Sequence, residues 1–191
     1  MLACESRCGH PHSGNGRGAG RVCKDMPVAS LVTFRPIESG DKRALASFFA
    51  NLSDESRRRR FLGPKPRLTD RDLAFLTEVD QRRHVAIVAL DAEGAIVGVG
   101  RYACWPGEPD RAELAFAVVD AWHGRGLGTA LGERLVAHAR GNGIATLTAS
   151  TLALNAPAKA LLQRLGFQPT GIASGVAEYV LPLRAALPAA A

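Results

Sequence analysis

The sequence predicts a single mixed α/β domain, a mixed sheet with helices on its faces. Three observations carry that expectation. Strand and helix signals alternate from residue 30 onward in the order β, α, α, β, β, β, α, β, α, β, β. No internal repeat, long linker or second core interrupts them. One stretch, Val118–Thr129 (VVDAWHGRGLGT), runs from an apolar strand through glycines into an amphipathic helix.

Each element has its own local reason. Residues 30–35 (SLVTFR) alternate and read as a strand. Residues 41–52 place Leu45, Phe48, Phe49 and Leu52 on one helical face. Thr69 with Asp72 makes a capping pair for a short helix over 73–79. Residues 85–90 (VAIVAL) form an apolar strand, and Asp91–Gly94 turns it into a returning strand over 95–104. Residues 113–119 (ELAFAVV) are the next strand. Residues 126–141 carry Leu127, Leu131, Leu135 and Ala139 at four-residue spacing, a helix. A strand over 146–152 precedes a helix over 156–165 that Gly166 stops, as a left-handed cap does. Residues 167–183 supply two last strands.

Composition bounds the function. The 191 residues are 47% hydrophobic and 22% charged, which suits a globular domain and excludes wholesale disorder. No apolar run approaches the ~20 residues a bilayer needs, so no membrane partner is expected. The first twenty-five residues lack an apolar signal segment, and the cytoplasm is the expected compartment. The net charge of +6 comes from scattered arginines and one run, Arg57–Arg60. No aromatics interleave with that run, so nucleic acid is not an expected partner. A solvated helix face is its simplest reading, a docking surface for an acidic substrate or for a cofactor phosphate the sharper one. At helical spacing the four side chains point in four directions, so at least one must turn inward or pair.

Residues 1–27 are glycine-rich with few aliphatic side chains and read as a disordered leader, with Met26 the expected biological start. Residues 28–185 form the domain and 186–191 a frayed tail. Cys4, Cys8 and Cys23 lie beside His10 and His12, but their spacing fits no paired-ligand pattern, so no metal site is expected. His84 and His138 have no evident partners, and Cys104 reads as a small core residue.

The glycine loop carries the chemistry. Gly124, Gly126 and Gly128 let the backbone approach a ligand closely and take conformations other residues resist. The following helix offers unpaired amides and a positive dipole end, which together favour phosphate. The spacing is G-x-G-x-G. It lacks the lysine of a P-loop and the downstream acid of a dinucleotide fingerprint.

His123-Gly124-Arg125-Gly126-Leu127-Gly128 resembles the pyrophosphate loop of the GNAT superfamily of acyl-CoA-dependent N-acyltransferases. Asn155, Ala158, Leu161 and Leu165-Gly166-Phe167 resemble that family's helix along the CoA arm. The blocks SDESRRRRFLGP, AIVALDAEGAIVGVGRY and AELAFAVVDAWHGRGLG are similar to the catalytic domain of bacterial Pat-type protein lysine acetyltransferases. The resemblance implies a mostly antiparallel central sheet of six to seven strands with helices on both faces.

It also implies acetyl-CoA as co-substrate and a primary amine as acceptor, either a protein lysine or a small molecule. Dimers occur often in the superfamily, so a homodimer is in view. The backbones of Ala117, Val118 and Val119 would pair with the pantetheine amides, and the amide of Val118 or Val119 would polarise the thioester carbonyl. His123 replaces the usual Gln or Arg, and its backbone amide would still serve the phosphate, with Gly124, Arg125, Gly126, Leu127, Gly128 and Thr129. Asn155 would bond the CoA arm, or simply cap its helix.

Glu113 is the candidate general base, at the start of its strand and partly buried, with a solvent-facing edge charge as the plain alternative. Leu162 stands where many members carry a Tyr that protonates the leaving thiolate. That substitution favours a catalytically silent acyl-CoA-binding scaffold, and Glu113 argues against one. Tyr102 and Trp105 are candidates for the acceptor pocket, with core packing the equal alternative.

Overall fold

Seven strands and five α-helices alternate over residues 31–183, which the computed structural model describes. The strands are β1 (Thr33–Pro36), β2 (His84–Leu90), β3 (Ile96–Trp105), β4 (Glu108–Val118), β5 (Thr146–Leu152), β6 (Gln168–Ala173) and β7 (Val176–Pro182). The helices are α1 (Lys42–Ala50), α2 (Asp54–Phe61), α3 (Asp70–Thr77), α4 (Leu127–Gly141) and α5 (Ala156–Arg164). Cys4, Cys8, Cys23, the leader and the tail lie outside the described residues.

The sheet order is β1-β2-β3-β4-β5-β7-β6, and every neighbouring pair is antiparallel except β4 with β5. The expected mixed, mostly antiparallel sheet is therefore present. Helices cover both faces. On one, Gly98 and Gly100 let α4 descend onto β3: a Cβ at Gly100 would sit 2.6 Å from Leu135 Cδ1. On the other, Leu45, Phe48, Phe49 and Leu52 pack over Ala86, Val88 and Val99. Each such buried large side chain is worth about 2–5 kcal/mol against truncation to Ala.

Local signals explain most boundaries. Thr69 accepts from the Asp72 amide while Asp72 accepts from the Thr69 amide, so the expected capping box exists and α3 starts at Asp70. Gly166 closes α5 at φ +92°. β1 and α3 are shifted from the expected 30–35 and 73–79, and two elements differ further. β4 begins at Glu108 rather than at residue 113, because its first four residues, Glu108 to Arg111, are exposed and carry no apolar pattern. α2 has no apolar stripe to announce it. Ser53 caps it, Asp54 and Glu55 occupy its first turn, and Arg58–Arg60 its last, which suits the helix dipole.

The open readings of Tyr102 and Trp105 are decided here, and that of His138 is corrected. Tyr102 is fully buried under α4, with its hydroxyl 3.1 Å from His138 Nδ1 and accepting from Asn142 at 2.9 Å, so it is core and His138 has partners. Trp105 is 42% exposed at the far end of β3, packed by Arg111.

The topology also makes an opening. β4 and β5 pair only at Arg111↔Thr146, Ala112↔Leu147 and Glu113↔Thr148. Beyond Glu113, β4 follows β3 to Val118 while β5 follows β7 to Leu152. The two strands separate, and a gap opens between them.

Candidate active site

The gap is the mouth of a cavity of about 520 Å³. Leu114–Val118 of β4 form one wall and Ala149–Thr151 of β5 the other. Trp122–Gly124 and Gly126–Thr129 close one end; Asn155, Leu161, Leu162 and Arg164 flank it, and Ser56, Arg59 and Arg60 reach in from α2.

The exposed β4 edge has a defined polarity. The Asp110 carbonyl accepts from Ala145 on the β5 side at 2.7 Å, while the Val119 amide donates to Val97 on the other side at 3.0 Å. Backbone groups alternate along a strand, so Leu114, Phe116 and Val118 turn theirs toward the gap. Of the two amides expected to meet a carbonyl, Val118's faces the opening. Val119's is committed to Val97, which removes Val119 from that role. Val119 packs its side chain into the core beside the sheet.

His123 is also corrected. Its backbone amide donates to the Asp120 carbonyl at 3.1 Å and is not free for a phosphate. Its ring folds back, Nε2 lying 2.8 Å from the Val118 carbonyl. A carbonyl only accepts, so Nε2 carries the proton.

The glycine loop behaves as its composition requires. Gly124 (φ +72°) and Gly126 (φ +84°) are left-handed, with open space where a Cβ would point. No side chain caps α4, so its first-turn amides are left for whatever enters the cavity. Gly128 has a different reason: a Cβ there would stand 2.9 Å from Leu161 Cδ2, so its absence lets α4 and α5 approach. Arg125 is not in the cavity wall. It is exposed, with its guanidinium over the Trp122 ring at 5.3 Å.

Asn155 is buried, 8% exposed, and its side chain accepts from the Ala158 amide at 3.3 Å and donates to Thr151 Oγ1 at 3.2 Å. The capping role is thus present, and the residue also lines the cavity. Leu162 is buried in the core beneath it.

Glu113 lies in the middle of β4, at the last pair before the strands separate. It is exposed rather than partly buried, and stands beside the cavity rather than in its wall. Nearby lies a cationic cluster that the sequence did not disclose. Within the Arg57–Arg60 run, Arg57 lies over the Phe49 ring, Arg59 lines the cavity, and Arg60 lines both the cavity and a recess beside it. Arg101, expected only as a strand residue, is 7% exposed, and burial, with Arg60 adding to it, pushes its guanidinium down to about 9. Arg101 Nη1 donates to His84 Nε2 at 3.2 Å and Nη2 to the Leu76 carbonyl at 3.2 Å. Burial, then Arg101, lowers His84 to about 4, so its ring is neutral at physiological pH. Among the described residues, no group of three or more His, Cys, Asp or Glu could hold a metal. No described helix is long and apolar enough to cross a membrane.

Comparison with known proteins bears on the family and the fold. The family described as acetyltransferase (GNAT) domain matches residues 32–168. The chain is 32% identical to an acetyltransferase of Pseudomonas aeruginosa, covering 71% of this chain and 74% of that protein. It is 34% identical to the L-methionine sulfoximine/L-methionine sulfone acetyltransferase of the same organism, over 54% of this chain and 62% of the other. Among solved structures, the GNAT domain of the S. lividans protein PAT superposes with a TM-score of 0.75 at 32% identity, covering 79% of this chain and 90% of that one.

Proposed function

The chain belongs to the GNAT acetyltransferase family, and on that premise we propose that it moves an acetyl group from acetyl-CoA to a primary amine by direct attack. The observation that carries this reading is the β4 edge beyond Glu113, unpaired with β5 and open as far as the Val118 amide, which leads from Glu113 to the uncapped end of α4.

Residues and co-substrate fit each other. The pyrophosphate suits the loop amides from Gly124 to Gly128, where the backbone is left-handed twice and no Cβ intrudes. The amide groups of a pantetheine arm suit the gap-facing groups of Phe116 and the Val118 amide, as an added strand does, the Val118 carbonyl being held by the His123 ring. Arg59 and Arg164 stand at the cavity to complement negative charge. Asn155 can engage the arm with the hydrogen-bonding capacity its cap leaves over.

Acetyl-CoA supplies an electrophilic thioester and a tolerable leaving group, since a thiol of this kind has a pKa of about 8.5. The Val118 amide, aimed into the gap, is the donor for the carbonyl oxygen as charge gathers there. Glu113, at the separation point, receives the proton of the attacking amine, whose ammonium form has a pKa of about 10.4. A water passes that proton, because the carboxylate stands beside the cavity. Leu162 has no proton to give, so solvent protonates the departing thiolate. The acceptor class is a primary amine, on a lysine side chain or on a small molecule.

Calorimetric titration with acetyl-CoA and with CoA, followed by thiol release with a panel of amines, tests the reading. Micromolar binding and amine-dependent thiol release support it. Absence of binding to both ligands overturns it.

A further inference from the structure

Arg101 is the only charged side chain that is buried among the described residues, and it has no acid partner. A neutral imidazole and a backbone carbonyl hold it. Arg60 approaches it from α2, makes no hydrogen bond or ion pair, and stacks over the Phe61 ring at 5.0 Å. Two cations drawn from water beside each other, with no anion between them, are costly. Proteins keep such an arrangement where a ligand completes it.

Both arginines line a narrow apolar recess of about 30 Å³ beneath α1, α2 and α3. Arg60 and Ala117 belong to that recess and to the large cavity, so the two meet there. Arg101 faces Ala115 across the β3–β4 ladder, and Glu113 is the next β4 residue on that face, about 6–7 Å along the strand. The alanines at 115 and 117 leave room above the sheet. The Glu113 charge also reaches Arg60. An anion between the arginines would thus lie one residue pair from the proposed base.

We propose that Arg60 and Arg101 hold the carboxylate of the acceptor, so that the group acetylated is the α-amine of a free amino acid. The inference rests on the acetyltransferase reading above. A carboxylate is planar and accepts two parallel N–H bonds from a guanidinium, which suits a narrow recess. In an amino acid the amine and carboxylate share one carbon, which matches the short step from the arginines to Glu113. An acidic side chain flanking a lysine in a protein would have to pass beneath α2 to reach Arg101. In the reaction the α-nitrogen bonds to the acetyl carbon and the carbon–sulfur bond breaks. Glu113 receives the amine proton through water, and the thiolate leaves.

The test measures thiol release with the twenty standard L-amino acids, their carboxamides, and a lysine peptide with blocked ends. At least one amino acid is turned over, and its carboxamide is slower by about 10²-fold or more in kcat/KM, because the buried cations stay unpaired with it. Arg60→Gln and Arg101→Gln raise KM for the amino acid about tenfold or more and shrink the acid-to-amide ratio, and Arg101→Gln, outside the large cavity, leaves acetyl-CoA affinity unchanged. Arg60 sits on α2 and its replacement keeps the test alive if the Arg101 variant does not fold. Equal rates for acid and amide, an unchanged ratio in Arg60→Gln, or acetyl-CoA binding without turnover of any of the twenty overturns the inference alone. Failure of acetyl-CoA to bind, with no thiol release from any amine, instead overturns the acetyltransferase reading and takes the inference with it.

Discussion

Asp120 grips Ser53 across 67 residues of sequence, accepting its amide at 3.0 Å and its hydroxyl at 2.9 Å. It accepts a further hydroxyl from Ser56 at 2.9 Å. Burial would raise the Asp120 carboxyl, but the hydrogen bonds from Ser53 and Ser56 outweigh it and hold it below its ordinary range. The contact fastens the N-terminus of α2, which carries Arg60, to the turn that leads into the glycine loop. Asp120→Ala removes three acceptor contacts and costs about 1–3 kcal/mol, read as a lower urea midpoint. It also loosens α2, so KM for the acceptor rises more than kcat falls.

Glu113→Gln keeps the shape of the β4 edge and removes the proton acceptor. The expected loss in kcat/KM is about 10²–10⁴-fold at neutral pH, with the affinity for acetyl-CoA held, as calorimetry would record. Undiminished turnover would assign the proton to another group.

Gly126 holds φ +84° at the mouth of α4. Alanine there incurs about 1–2 kcal/mol of left-handed strain or moves the loop. The loop amides shift with it, so acetyl-CoA binds about tenfold or more weakly. Titration of Gly126→Ala against wild type measures this directly.

Asn155 separates capping from recognition. Aspartate caps as well as asparagine does, so Asn155→Asp keeps the α5 cap, while Asn155→Ala costs about 1 kcal/mol in chemical denaturation. Both weaken acetyl-CoA binding, because both remove the side-chain N–H groups and aspartate adds a charge facing phosphates.

His84 gives the fold a signed pH dependence. Its folded pKa is about 4, below the roughly 6.5 of the unfolded chain. The unfolded state therefore binds the extra proton as pH falls from 6.5 to 4, and stability declines over that window. Above pH 6.5 both states are neutral and the effect vanishes. His84→Gln flattens this part of the curve, as urea midpoints at pH 7 and pH 4.5 would show. An identical slope in the variant would place the dependence elsewhere.

Much of the site was readable in one dimension because the relevant physics is local. Gly124 and Gly126 announce left-handed backbone, Asn155 and Gly166 bracket α5, and the Thr69–Asp72 pair caps α3. Each depends on a few consecutive residues. The strand and helix order was likewise written in periodicities of two and about 3.6. α2 escaped because hydrogen bonds and charge at its ends hold it, and neither leaves a periodic apolar trace.

By itself the sequence determined the order of elements other than α2, the left-handed glycines of the loop and the family to which the chain belongs. Tertiary structure alone decided which backbone groups are free and which charges meet. Val118 and Val119 are neighbours of the same type, yet ladder pairing turns one amide into the gap and spends the other on Val97. Arg60 and Arg101 lie on different elements, and only the packing of α2 over β3 and β4 brings them together without an acid. Partners across a sheet or between layers are set by register and packing, and single-chain periodicity carries no record of either.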